Sequence, residues 1–310
     1  MYDPPPFRIV DGRLVGPLRW FLAYLRYYRT CKDTHAARIA DIASFDLVVS
    51  DEDLALSALC LDHGVPMVLV TDVLEIGFSR GLLKKAFAKV LQRSYRKLLG
   101  RCPLVLVPED GQDRGSLHFI GPIVRPFSGE RQTIRESLGW SRPTILVCGG
   151  GTASGTFLME RAMATFEALE RPDLHMAVVA GPGVSLASPA PGIEVHAFVR
   201  ALQDWILAAD VVVTLAGRTT IDEARAAGTP FVAIPIRDHF EQEQTARRYG
   251  FSFADLRRLS ELLETKLSEP RRPIPVKGAE RAVDAIIRFL ERRRPGRPRS
   301  AGAPGASTAR

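Results

Sequence analysis

The sequence has no apolar run long enough to span a bilayer, no closely spaced cysteines and no zinc-ligand pattern, and each absence closes off a class of protein. A spanning helix needs about 18 apolar residues, and the best stretch, Leu18 to Leu25, is interrupted and bounded by Arg19 and Arg26. The N-terminus does not read as a signal peptide. Cys31, Cys60, Cys102 and Cys148 lie far apart, each in or beside an apolar segment, which predicts buried reduced thiols and a cytoplasmic setting. No Cys/His spacing suits zinc, and no metal or cofactor beyond a donor substrate is expected.

A nucleic-acid face is also missing. The net charge is +7, but Arg292, Arg293, Arg294, Arg297, Arg299 and Arg310 gather in one tail. From Pro295 that tail is Arg, Pro, Gly, Ser and Ala without an apolar period, so it is expected to be disordered and to bind no specific nucleic acid. Hydrophobic residues at 46% and charged residues at 25% still describe a chain that folds. At 310 residues it exceeds one ordinary core, which predicts two domains, 1–125 and 126–294, followed by the tail 295–310. The turn-rich Gly121-Pro122-Ile123-Val124-Arg125-Pro126 forms the expected linker.

What is present is an alternation of short β-branched runs with helical stretches, the pattern of parallel α/β sheets. In the second half the runs are Thr144–Cys148, His175–Ala180, Ile193–His196, Val211–Leu215 and Phe231–Ile234. Ala282, Val283, Ile286, Ile287 and Leu290 line one face of a last helix, Ala279 to Arg293. The first half shows three runs, Asp46–Ser50, Pro66–Val70 and Pro103–Val107, behind a turn-forming Met1-Tyr2-Asp3-Pro4-Pro5-Pro6. It reads as an incomplete domain whose missing part lies upstream or on a partner chain.

Three segments follow strands of the second half, where ligands of open parallel sheets bind. Gly149-Gly150-Gly151-Thr152-Ala153-Ser154-Gly155 leads from strand to helix, where main-chain N–H groups and the helix dipole favour an anion. It is no Walker loop, since Thr156-Phe157 follow Gly155, and no acid closes the second strand as an NAD site requires. Ala216-Gly217-Arg218-Thr219-Thr220 opens a second helix, with Thr219 or Thr220 as its expected cap and Glu223 one turn on, able to accept from two ribose hydroxyls. In the third segment, Pro235 to Gln242, Glu241 and Gln242 pair an acid with an amide, suited to sugar hydroxyls.

These residues carry a resemblance. Residues 142–294 resemble the C-terminal domain of the family-28 (MurG-type) glycosyltransferases through the glycine segment, through Ala208-Ala209-Asp210 to Gly217, Thr220, Glu223 and Gly228-Thr229-Pro230, and through Pro235 with Glu241-Gln242. The resemblance implies a GT-B fold, two Rossmann-like parallel-sheet domains with the N-terminal one incomplete. It further implies a diphosphate held by Gly149, Gly150, Gly151, Thr152 and Gly155 with Gly217, Arg218, Thr219 and Thr220. Glu223 would take the ribose, Phe198 and Val199 would line the uracil pocket, and Glu241 and Gln242 would touch the sugar. The chain departs from the peptidoglycan enzyme at Ala216, where that enzyme has serine, and at Thr245, where asparagine is usual.

The implied activity is inverting, metal-independent transfer of a hexosyl group, in the first place an N-acetylhexosamine, from a UDP-sugar to an acceptor. Asp51 and Asp72, each after a first-half strand, are the candidate catalytic bases. Asp51-Glu52-Asp53 also matches the Asp-x-Asp signature of metal-dependent transferases, against which Asp53 reads as a surface acid. The stretch Phe78 to Arg101 carries eight Lys and Arg without an acid among regularly spaced apolar residues. It fits an amphipathic helix on an anionic membrane surface, and so a lipid-linked acceptor and peripheral attachment to the inner face of the plasma membrane. The competing readings are a noncatalytic donor-binding subunit that needs a partner chain, and a UDP-sugar epimerase.

Overall fold

The computed structural model describes residues 5–75, 82–150, 153–181, 184, 186 and 190–293. After a short antiparallel hairpin, β1 (Ile9–Val10) and β2 (Arg13–Leu14), the first half contains α1 (Pro17–Ala36), α2 (Ile39–Ala43), β3 (Val48–Asp51), α3 (Leu54–Asp62), β4 (Met67–Val70), α4 (Leu82–Arg101), β5 (Val105–Val107) and β6 (Leu117–Phe119). The second half runs α5 (Arg131–Ser137), β7 (Thr144–Cys148), α6 (Thr156–Ala168), β8 (His175–Val179), β9 (Ile193–His196), α7 (Leu202–Ala208), β10 (Val211–Leu215), α8 (Arg218–Ala227), β11 (Phe231–Ile234), α9 (Phe240–Arg248), α10 (Leu259–Leu267) and α11 (Gly278–Arg293).

Every pairing within the two larger sheets is parallel, in the order β3-β4-β5-β6 and β11-β10-β7-β8-β9. The central strands β4, β5, β7 and β10 are almost wholly apolar because both faces are covered, whereas the edge strands β3, β6 and β9 carry polar, part-exposed residues. Successive side chains alternate between the covers. Ile145, Val147, Val211 and Val213 enter the core shared with Leu158, Met159 and Leu263, while Leu146, Cys148 and Val212 enter the opposite core with Ile206, Trp140 and Ala224. The first sheet works alike: Met67 and Leu69 face Tyr95 and Leu99 of α4, and Val68 and Leu106 face the other way. Burying a side chain of this size contributes about 1.5–3 kcal/mol, so the two covers of the second sheet are its main stabilisation. All four cysteines are buried and free.

Two segments cross between the expected domains. The last helix was expected with the second sheet, yet Ala282, Ala285, Ile286 and Phe289 of α11 pack on Val68, Leu104 and Leu106 of the first. Val283 and Ile287, predicted for its buried face, are 54% and 48% exposed. The first sheet's second face is apolar and α11 is the helix that covers it, which a helical period cannot reveal. At the other end, β2 leaves the first half. The Leu14 N–H donates to the Arg237 carbonyl and the Arg237 N–H to the Gly12 carbonyl, both at 2.8 Å. Gly12, at φ +71°, sits where a Cβ would strike the rings of Phe157 and Phe253. The expected boundaries of 125/126 and 294 therefore describe the two sheets but not these segments. The tail 295–310 lies outside the described residues.

Candidate active site

Strand order decides where a ligand can sit. β7 is flanked by β8 on one side and β10 on the other, so the chain leaves its carboxyl edge in opposite directions and opens a crevice between β7 and β10. The glycine turn follows β7 and α8 follows β10, which places both at that crevice. Gly150 takes φ +81° and a Cβ there would lie 3.7 Å from Leu215 at the end of β10, so the two loops touch. Gly155 is required by proximity: a Cβ would fall 1.9 Å from the Gly149 carbonyl oxygen. Gly151 and Thr152 lie outside the described residues.

Both helices that leave this rim have glycine at the N-cap and no side-chain cap, Gly155 for α6 and Gly217 for α8. A 3-10 turn, Ala153–Gly155, runs directly into α6, while α8 starts at Arg218; helix starts of this kind favour an anion. Thr219 and Thr220 were expected to cap α8, but the helix already begins at Arg218 and they lie in its first turn. At the opposite, amino edge of the sheet Arg271 donates to the carbonyls of Leu207, Ala209 and Ala227 and to the Thr229 hydroxyl at 2.7–3.0 Å, tying the end of α7 to that of α8.

Glu223 lies in α8, with Arg125 of the linker as its partner. Its charge, after burial, helps push the thiol of Cys148 up to about 12, and Cys148 directly precedes Gly149. Yet Glu223 is 0% exposed and both carboxylate oxygens are taken by Arg125 of the linker, at 2.8 and 3.2 Å. The guanidinium is held charged chiefly by those hydrogen bonds. A ribose can meet Glu223 only if Arg125, whose side chain is 48% exposed, swings outward.

Arg218, expected on the diphosphate, faces the first half. It pairs with Glu109, donates to the Pro108 carbonyl at 2.8 Å and lies 3.5 Å from Asp72 and Asp222. Arg248 reaches the second oxygen of Glu109 at 3.1 Å, and Arg225 lies 3.5 Å from Asp110. The two halves are thus joined by charge along the cleft. Gln242 accepts the Ile236 N–H at 3.0 Å, so its amide carbonyl shapes the loop, while Glu241 keeps an open edge to the cleft. Enclosure in the cleft, then the charge of Asp72, raises Glu241 above the ordinary carboxyl range. Phe198 is 67% exposed, and Val199 packs on the second core.

Across the cleft a cavity of about 710 Å³ opens between α1 and α4. Trp20, Tyr24 and Tyr28 wall one side and Leu91, Tyr95 and Leu98 the other, with Glu52, His239 and Glu241 at its lining. Of the acids in Asp51-Glu52-Asp53, Glu52 lines this cavity, Asp51 ends β3 in solvent, and Asp53 caps α3 by accepting the Leu56 N–H at 2.9 Å. Among the described residues no His, Cys, Asp and Glu cluster is arranged to hold a metal ion. The sequence reading missed Glu52, Arg125 and Glu109. The neighbour of each is 18 or more residues away along the chain, beyond the reach of any periodicity.

With the geometry in place, comparison assigns the second half. Residues 144–255 match the model of the glycosyltransferase family 28 C-terminal domain. An uncharacterized glycosyltransferase of Methanosarcina acetivorans is 24% identical over 221 residues, 65% of this chain and 57% of that protein. The UDP-N-acetylglucosamine–N-acetylmuramyl-(pentapeptide) pyrophosphoryl-undecaprenol N-acetylglucosamine transferase of Methylorubrum extorquens is 28% identical over 192 residues, 59% of this chain and 50% of that protein. The chain thus spans about half the length of these curated relatives. Among solved structures, the glycotransferase of kitacinnamycin matches with TM-score 0.59 and 20% identity over 93% of this chain and 82% of that one. An S. aureus MnaA–UDP co-structure matches with TM-score 0.57 and 13% identity over 84% and 79%. These likenesses give the fold, GT-B with two Rossmann-like parallel sheets, and the family-28 match falls in the second of them.

Proposed function

We propose that the protein transfers a glycosyl group from a UDP-sugar to an acceptor hydroxyl, with inversion. The observation that carries this reading is the meeting of two uncapped helix starts, α6 and α8, at the crevice between β7 and β10. Helix starts of this kind offer main-chain N–H groups that can bind a diphosphate and stabilise it as it departs with the bond electrons. Phe198 and Val199 take the base, Glu223 the ribose once Arg125 has moved aside, and Glu241 with Gln242 the sugar. The names of the curated relatives support UDP and an N-acetylhexosamine as the donor. Charge stabilisation by helix starts needs no divalent ion, so the proposed transfer is metal-independent.

Isothermal titration of the full chain tests this directly. UDP and UDP-N-acetylglucosamine are expected to bind with micromolar affinity, at least 10-fold, or about 1.4 kcal/mol, tighter than GDP or TDP. The affinity should be unchanged by EDTA. Absence of UDP binding, or binding that disappears with EDTA, would sink the assignment.

The acceptor side extends the proposal to a membrane surface. Lys89, Arg93, Arg96 and Lys97 of α4 are exposed, whereas Arg80, Lys84 and Lys85 of the same stretch lie among residues whose side chains are outside the description. No helix among the described residues is long and apolar enough to cross a membrane. The chain is therefore expected to sediment with vesicles rich in phosphatidylglycerol and to be released by 0.5 M salt; sedimentation indifferent to anionic lipid removes the membrane from the proposal.

A further inference from the structure

Resting on the transferase reading above, we propose that Glu52 is the general base of the transfer, taking the proton of an acceptor hydroxyl presented by an apolar body seated in the cavity between α1 and α4.

Four observations converge on Glu52. It lies at the carboxyl edge of the first sheet, facing the second, on the lining of the 710 Å³ cavity, where neither Asp51 nor Asp72 appears. Its backbone stands at φ +55°, a region in which non-glycine residues are held only by their surroundings. Two contacts hold the carboxylate: the Thr71 hydroxyl donates to Oε1 at 3.0 Å and the Asp72 N–H reaches the same atom at 3.4 Å. Both are on Oε1, and the Asp72 carboxyl is a further hydrogen-bonding neighbour of the Glu52 carboxyl. Glu52 keeps an exposed edge, yet partial desolvation at the cavity lining, and next the Asp72 carboxylate, push it up to about 7, close to the optimum for a base working at neutral pH.

The surrounding groups fit that role better than they fill it. Asp72 lies 3.5 Å from the Arg218 guanidinium and stays paired with it. His239 is half-buried, which lowers its basicity, and its Nδ1 accepts the Gln242 N–H at 3.5 Å, so the hydrogen remains on Nε2 and the ring acts as a donor. Tyr95 is pushed up to about 12 and Tyr24 is also raised, burial being the main cause in both, so these phenols stay protonated. Asp53 is occupied by His35 at 2.9 Å and by the α3 cap. Glu241 stands at the start of α9, on the donor side.

The cavity also defines the acceptor's class. Phe7, Trp20 and Tyr24 form a stack with centroids 4.5 and 5.2 Å apart, and the opposite wall is Leu91, Tyr95 and Leu98. Such walls take a flat or aliphatic body and leave its hydroxyl at the acidic end. The connection to the donor is short: Glu52 contacts Asp72, Asp72 pairs with Arg218, and Arg218 is the first residue of the diphosphate-facing helix α8. In the reaction the acceptor oxygen bonds to the anomeric carbon as the bond from that carbon to the diphosphate oxygen breaks. The electron pair leaves with UDP, and the hydroxyl proton passes to Glu52 and on to solvent.

The test uses the full chain with UDP-N-acetylglucosamine as donor and naphthylmethanol as a probe acceptor, reading donor affinity by calorimetry and UDP release by turnover. Glu52→Gln is expected to bind donor within twofold of wild type and to lose about 100-fold or more of acceptor-dependent UDP release. Wild-type kcat/KM should fall as pH drops through about 7. That acid limb should vanish in Glu52→Gln and move to lower pH in Asp72→Asn, which removes the neighbouring negative charge. Turnover of Glu52→Gln within threefold of wild type, loss of the limb in Glu241→Gln instead, or donor binding by the wild type without UDP release would each overturn the assignment. Failure to bind the donor at all is a different result, since it removes the transferase reading itself and this inference with it.

Discussion

Replacing Gly155 with alanine is expected to break the donor site and to lower the stability of the whole second sheet. The added Cβ would stand 1.9 Å from the Gly149 carbonyl oxygen and 2.5 Å from the Gly149 carbonyl carbon. These are backbone atoms of the turn itself, so no side chain can move aside and the turn must open. Overpacking in a closed region costs about 1–3 kcal/mol, and an overlap with main chain belongs at the upper end. A loss of about 3 kcal/mol lowers Tm by about 6–12 °C for a domain of this size. UDP affinity should fall by at least 10-fold, because the N–H groups at the start of α6 are displaced together. Gly217→Ala is the matched control: nothing lies within 4 Å of its built Cβ and its φ is −81°, so Tm should stay within about 1 °C. Equal thermal shifts in the two variants would show that the turn is not the constrained element.

Arg125→Ala should destabilise the protein by about 3–5 kcal/mol, more than Glu223→Gln, although the two residues share the same pair of hydrogen bonds. The asymmetry comes from burial. Glu223 is 0% exposed, so removing Arg125 strands a carboxylate without a partner, whereas Arg125 is 48% exposed and regains water when Glu223 is neutralised. The double variant Arg125→Ala, Glu223→Gln should recover much of the loss, which a thermal-melt cycle over the four proteins measures. If Arg125→Ala proves no worse than Glu223→Gln, Glu223 is hydrated in solution and the linker does not lock the donor domain. The same pair makes a link between nucleotide and linker: a ribose that takes Glu223 releases Arg125, which follows directly on Gly121 to Val124, the turn-rich stretch joining the two sheets.

How legible the site was depends on how far its partners lie apart. The β-branched runs of the second half fall within a residue of the observed strands, since a strand buried on both faces must be apolar throughout. In the first half the edge strand β3 begins two residues later than its run, at Val48, and β6 was too short and too mixed to stand out as Leu117–Phe119. The last helix was found but its destination was not. A period of 3.6 identifies an amphipathic stretch, while which of two apolar sheets it covers depends on the space left by everything else. The cap assigned to Thr219 or Thr220 failed for a local reason, because Gly217 already ends the extended segment and Arg218 opens the helix.

By itself the sequence determined the two-sheet α/β architecture, the anion-ready glycine turn after β7 and the second helix start after β10, because each depends on residues within about one turn or one strand of each other. Tertiary structure alone decided that these two loops meet, by setting β10 beside β7 in a sheet whose order departs from that of the chain. It also decided that Glu223 is held by a residue 98 positions away, that Arg218 turns toward the first half, and that Glu52 lines an aromatic cavity. The physical reason is one of range. Local patterns report which face of an element is apolar, whereas contacts between charges follow from how the elements stack, and that is settled only when every apolar face has been covered.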